Sequence, residues 1–184
     1  MATESDLLTY LAERGDVHRL RRELELRLQA IDVPDSRGYT PLFAAARKNR
    51  VDVIRLLLEL GAKAETRSTS EGQYTPLMIA IIQQQDRAAA VLAEAAADVL
   101  VRDEFGRTAL HYASDFGKKS IVDILLAKGS DPNPKDSEGR SPTLIAHVEG
   151  HEDSQSALQA KGGTLVPEEV RQEKMKVAFD RHRS

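Results

Sequence analysis

Histidine is the side chain best suited to acid–base or metal chemistry near neutral pH, and the sequence carries five: His18, His111, His147, His151 and His182. His147 and His151 stand four apart, the spacing at which two imidazoles on one helix grip zinc. Gly150 lies between them as a helix stop, so no shared face is predicted and no metal pair follows. His111 and Asp115 are also four apart, with Ser114 beside them. A hydrolytic triad on those residues needs a nucleophile elbow or strand-end loop, and nothing around Ser114 provides one. His18 and His182 have no ligand-type companions. The chain has no cysteine, which excludes disulfides, thiolate chemistry and cysteine-based zinc sites and favours a reducing compartment, the cytosol or the nucleus. Its eleven glycines form no phosphate-loop or dinucleotide pattern. The residues therefore predict no catalysis, no metal, no cofactor and no small-molecule substrate.

What does recur is a frame. Thr40-Pro41-Leu42-Phe43, Thr75-Pro76-Leu77-Met78, Thr108-Ala109-Leu110-His111 and Ser141-Pro142-Thr143-Leu144 follow one another at steps of 35, 33 and 33 residues. A second series, Gly15, Asn49, Gln84, Gly117 and Gly150, extends the period to five units and marks a turn that needs a left-handed residue. Gln84 suits that turn poorly, at about 1–2 kcal/mol, so the third unit is expected to be locally weak. A period in the low thirties implies a solenoid. The scarcity of aromatics, 4% of the chain, agrees with many small interfaces rather than one thick core.

With its Asp-x-x-Gly-x-Thr-Pro-Leu-His start, small-residue helix, turn and Leu-rich second helix, this pattern resembles the ankyrin repeat family over roughly residues 5–165. The resemblance implies an all-α ankyrin-repeat solenoid of helix-turn-helix units joined by β-hairpin-like loops. The expected divisions are a degenerate N-terminal cap at 1–34, repeats at 35–67, 68–102 and 103–135, a C-terminal cap at 136–166 and a charged helix or tail at 167–184. In the cap, Val17, Leu20, Leu24 and Leu28 line one face of a helix otherwise covered by Arg and Glu. The unit at 68–102 carries an enlarged hairpin loop around Ser68 to Gly72, a contact or modification loop or a tolerated insertion. Pro167-Glu168-Glu169 reads as a helix start, and that helix is expected to dock on the fifth unit or to fray; its basic run is alternatively a partner site.

Function is then expected in the concave groove that the resemblance implies, lined by hairpin tips and by the ends of the first helices. Tyr39, Tyr74 and Arg107 project from tips, while Arg47, Lys48, Ile82, Asp115 and Phe116 sit just ahead of the turns. Tyrosine and arginine are enriched at binding hot spots. The competing expectation is that the tip tyrosines pack on neighbouring hairpins and Phe116 fills a gap in the stack. His111, Gly117 and Gly150 are assigned to structure, and Tyr10 and Tyr112 to the core. Net charge runs from +1 through residue 67 to −5 over residues 68–166, with +1 in the tail, an even enough balance to predict neither nucleic acid nor membrane as partner. No stretch is apolar enough to insert in a bilayer. The expected partners are proteins or peptides and the expected role is a scaffold or adaptor. The alternatives are a small inhibitor of a kinase or transcription factor, or an architectural subunit of a cytoskeletal or organelle assembly.

Overall fold

The computed structural model describes residues 4–26, 30–70, 72–95 and 98–181. Among these there are eleven helices and no strand. Leu28 and His182 lie outside the described residues. The helices are α1 (Glu4–Arg14), α2 (Val17–Leu26), α3 (Pro41–Arg47), α4 (Val51–Glu59), α5 (Pro76–Ile82), α6 (Asp86–Ala95), α7 (Ala109–Asp115), α8 (Lys119–Ala127), α9 (Pro142–Val148), α10 (Glu152–Ala160) and α11 (Pro167–Arg181). They form two compact units, residues 1–109 and 110–184. This is the all-α architecture that the resemblance implies.

The recurring box explains where each short inner helix begins. Thr40, Thr75 and Ser141 are N-caps whose hydroxyls accept from the amides of Phe43, Met78 and Leu144, each at 3.2 Å. The proline that follows occupies the first turn, where its missing N–H costs nothing. The outer helices are held by a stripe instead: Val53, Ile54, Leu56 and Leu57 are buried on α4, and Ile121, Val122, Leu125 and Leu126 on α8. On α6 the stripe shrinks to Ala88, Ala89, Leu92 and Ala93, so that helix buries less apolar surface.

The turn series has the expected backbone. Gly15, Gly117 and Gly150 have φ of 80°, 60° and 78°, and Asn49 and Gln84 adopt the same left-handed region at 55° and 53°. Asn49 offsets its strain, since its Oδ1 accepts from the Ala88 amide at 3.1 Å and so caps the start of α6. Gln84 is exposed and makes no such bond among the described residues. Gln84→Gly is therefore expected to stabilise the protein by about 0.5–1 kcal/mol, whereas Asn49→Gly should destabilise it by about as much through the lost cap. Thermal denaturation of the two variants reads the opposite signs directly; a shift of the same sign would refute the account.

The N-terminal pair departs from expectation at one residue. Tyr10 is 53% exposed, not core. Its helix packs against α2 and α3, and the Tyr10 position is left facing solvent, whereas Tyr112, at the equivalent place on α7, is buried.

In the second unit, α11 docks against α9. The attachment is mainly ionic: Arg140 meets Glu173 at 3.6 Å, Lys176 meets Glu138 at 2.5 Å, and Lys135 pairs with Glu169. The Lys176 hydrogen bond holds the Glu138 carboxyl below its usual range, and the same bond raises Lys176. Met175 and Phe179 remain 59% and 62% exposed.

Candidate functional site

Three of the hairpin tips are each built by one carboxylate. Asp35 Oδ1 accepts from the amides of Arg37 (2.9 Å) and Tyr39 (3.0 Å), and the Asp35 amide donates to the Tyr39 carbonyl at 2.9 Å. Asp103 does the same with Phe105 and Arg107, and Asp136 with Glu138 and Arg140. Each stands five residues ahead of its Thr or Ser cap, so the tip residue just before the cap is held in place by the loop beneath it. The enlarged loop lacks this clamp. Ser68 closes it instead, its amide donating to the Tyr74 carbonyl at 2.9 Å, while the buried Ser68 hydroxyl finds no partner among the described residues.

Around Tyr39 the first unit gathers a dense cluster. The Tyr39 ring stacks on Phe43 with centroids 4.8 Å apart, and the guanidiniums of Arg37 and Arg47 lie 5.1 and 5.5 Å from its centre. Glu13 Oε1, arriving from α1, accepts from Arg37 at 3.0 Å and from Arg47 at 3.3 Å. Burial opposes the charge on Arg37, but its hydrogen bond to Asp35 and the nearby Glu13 outweigh that and raise its pKa. These are the residue types of a protein-binding hot spot, fixed before any partner arrives. Lys48, next along the helix end, is exposed and makes no ion pair among the described residues.

Tyr74 is arranged differently. Its ring is tilted against Phe105 of the following hairpin, centroid to centroid 6.5 Å, and Phe105 is itself 45% exposed. The Glu104 carboxylate accepts from the Gly72 amide at 2.5 Å, tying the enlarged loop to the same hairpin. Ile82, at the end of α5, and Arg107, at its tip, are half-buried. The structure thus gathers Tyr39 and Arg47 at one place in the first unit, leaves Lys48 exposed beside them along the chain, and joins Tyr74 to a residue the sequence did not single out, Phe105.

In the second unit Asp115 and Phe116 are both half-buried at the end of α7. The Asp115 carbonyl accepts from His151 Nε2 at 2.9 Å, and the His151 ring lies over Gly117. His111 is fully buried, with Nε2 3.0 Å from the Pro134 carbonyl. His147 Nδ1 is 3.1 Å from Gln155 Oε1. Two of the histidines thus hold a backbone carbonyl with the ring, and among the described residues no group of three His, Asp or Glu is placed to hold a metal. Nor is any described helix long and apolar enough to cross a membrane.

The sequence matches the family described as ankyrin repeats in three copies, over residues 3–103 and again over 97–165. The chain is an ankyrin-repeat protein. It is 29% identical over 133 residues to the probable 26S proteasome regulatory subunit p28 of Saccharomyces cerevisiae, covering 72% of this chain and 58% of that one. It is 34% identical over 114 residues to the ankyrin repeat and KH domain-containing protein mask-1 of Caenorhabditis elegans, 62% of this chain and 4% of that one. It is 31% identical over 128 residues to the ankyrin repeat domain-containing protein 63 of Mus musculus, 67% and 33% respectively. The chain thus spans less than two thirds of the length of each of these relatives. Ankyrin repeats in general mediate protein–protein interaction, and the family is generally a non-catalytic interaction module.

Two features of this ankyrin chain were not found by sequence reasoning. Glu13, at the end of α1, is the acid that organises Arg37 and Arg47. Arg50 also belongs to the frame: its Nε donates to the Glu13 carbonyl at 2.8 Å, the same reach that His151 makes to Asp115. Both residues directly follow a turn residue, Asn49 or Gly150, and both bond a carbonyl two residues before the preceding turn glycine. That shared register was the signal available.

Proposed function

We propose that the chain is a non-catalytic interaction module, a scaffold or adaptor that holds a partner protein or peptide along the groove formed by its inner helices and hairpin tips. The contact residues are Tyr39, Arg47, Lys48, Tyr74, Ile82 and Arg107 in the first unit, with Asp115 and Phe116 in the second. The reading rests above all on the Tyr39 cluster. An aromatic ring stacked on Phe43 and approached by two guanidiniums offers contact area whose ordering cost was met on folding. The division into five repeats, the outer two acting as caps, belongs to the same proposal, as does a place in the cytosol or nucleus.

A second reading draws on the similarity to a probable proteasome regulatory subunit: a chain that docks on a large assembly rather than bridging two small partners. Affinity capture from cell extract separates the two by the size and stoichiometry of what is retained. The same capture, repeated with Tyr39→Ala, Tyr74→Ala and Phe116→Ala combined, tests the groove. Loss of the captured proteins is expected, since truncating hot-spot aromatics typically costs about 2 kcal/mol each, or roughly thirtyfold. Equal recovery by wild type and triple variant would move the interface elsewhere.

A further inference from the structure

On the turn side of the first unit, next to the starts of α4 and α6, lies an open cleft of about 400 Å³. Three arginines from successive helix pairs line it: Arg14 at the end of α1, Arg50 ahead of α4 and Arg87 on α6. Arg14 and Arg87 make no ion pair or side-chain hydrogen bond among the described residues. Arg50 uses Nε on the Glu13 carbonyl, which leaves its outer guanidinium nitrogens available. Glu13 does not neutralise them, because its carboxylate is taken by Arg37 and Arg47. Asp52 is the one carboxylate lining the cleft. The corresponding cleft of the second unit, about 340 Å³ beside Gly117 and Gly150, has the opposite character: it is lined by Lys119, His151, Glu152 and Asp153, and Lys119 is paired with Asp123 at 2.6 Å. The frame builds a cleft at such turns whatever the sequence, and the arginines are particular to the first.

We infer that this cleft is a second interaction surface that binds an acidic segment, a run of Asp or Glu in a partner protein. Guanidinium presents a planar fork matched to carboxylate. The cleft is open to solvent, so a lone anion stays hydrated and gains little. A chain of carboxylates touching three arginines adds the contacts within one molecule. The inference rests on the chain being a protein-interaction module but not on the groove.

A fluorescent oligoglutamate peptide titrated with the full chain at low ionic strength tests it. Saturable binding is expected. Combining Arg14→Ala with Arg87→Ala should weaken it about tenfold, and Asp52→Asn should tighten it about twofold. Arg55→Ala removes an exposed arginine of α4 outside the cleft and should leave binding unchanged, as should Tyr39→Ala in the groove. Absence of binding, or an equal loss with Arg55→Ala, would overturn the inference in favour of diffuse charge. Loss with Tyr39→Ala would overturn it in favour of the groove, and tighter binding of an oligothymidine than of the peptide would overturn it in favour of nucleic acid. Failure here leaves the groove proposal standing, because that proposal is read by capture with the aromatic variants.

Discussion

Replacing Gly38 with alanine is expected to destabilise the first unit by about 3 kcal/mol. Gly38 has φ of +83°, and an added Cβ would lie 2.6 Å from Thr69 Oγ1 and 2.8 Å from the backbone nitrogen of Ser70. The side-chain oxygen can rotate away, but the backbone nitrogen cannot. The Gly38 carbonyl also accepts from the Thr69 amide at 3.0 Å, so the two hairpins cannot part without losing a bond. A left-handed alanine costs about 1–2 kcal/mol, and overpacking adds about 1–3. Gly139 supplies the control. It occupies the same place in the last hairpin with φ of +80°, yet nothing lies within 4 Å of its added Cβ. Gly139→Ala should therefore cost the backbone share alone, about 1–2 kcal/mol. Urea denaturation followed by circular dichroism reads both; equal losses would mean that the close approach of the hairpins contributes nothing.

His111→Ala is expected to cost about 3 kcal/mol and to leave partner capture intact at temperatures where the variant remains folded. The imidazole is fully buried, so its removal opens a cavity and strips the Pro134 carbonyl of a partner. The equivalent positions show that this slot builds the stack by whatever chemistry its residue allows. Thr9 donates its hydroxyl to the Tyr39 carbonyl at 3.3 Å, Phe43 stacks on Tyr39, and Met78 lies under its own N-cap with Sδ 3.5 Å from the Thr75 amide. A catalytic or metal-binding histidine predicts a different result: loss of an activity or of a bound ion with the melting temperature unchanged. Calorimetry alongside capture distinguishes them.

The features legible in the sequence were those that a repeat writes locally and more than once. The Thr-Pro box set the period, and the turn series found the left-handed residues even where asparagine and glutamine replaced glycine, because backbone sterics act within a few residues. Side-chain pairing across units was not legible. Glu13 meets Arg37 and Arg47 from 24 and 34 residues away, and only the superposition of α1 on α3 brings them together. The tip tyrosines illustrate the same limit. Tyr39 and Tyr74 hold equivalent positions, yet one is approached by two arginines and the other leans on Phe105. Tyr10 was assigned to the core by register alone, and register does not say whether a neighbour covers the residue.

The Asn49 carboxamide reaches from one helix pair to cap the outer helix of the next, whereas Gln84, one methylene longer, holds the same backbone conformation with no bond to repay it. In kinetic terms, strain present in the folded state and released on opening lowers the free energy of a local fluctuation by its own amount. With the thin alanine face of α6 beside it, the α5–α6 pair should be the segment of the first unit that exchanges its amide protons earliest. Its enlarged hairpin and Ile82 would then be carried on the part of that unit best able to adjust to what it meets.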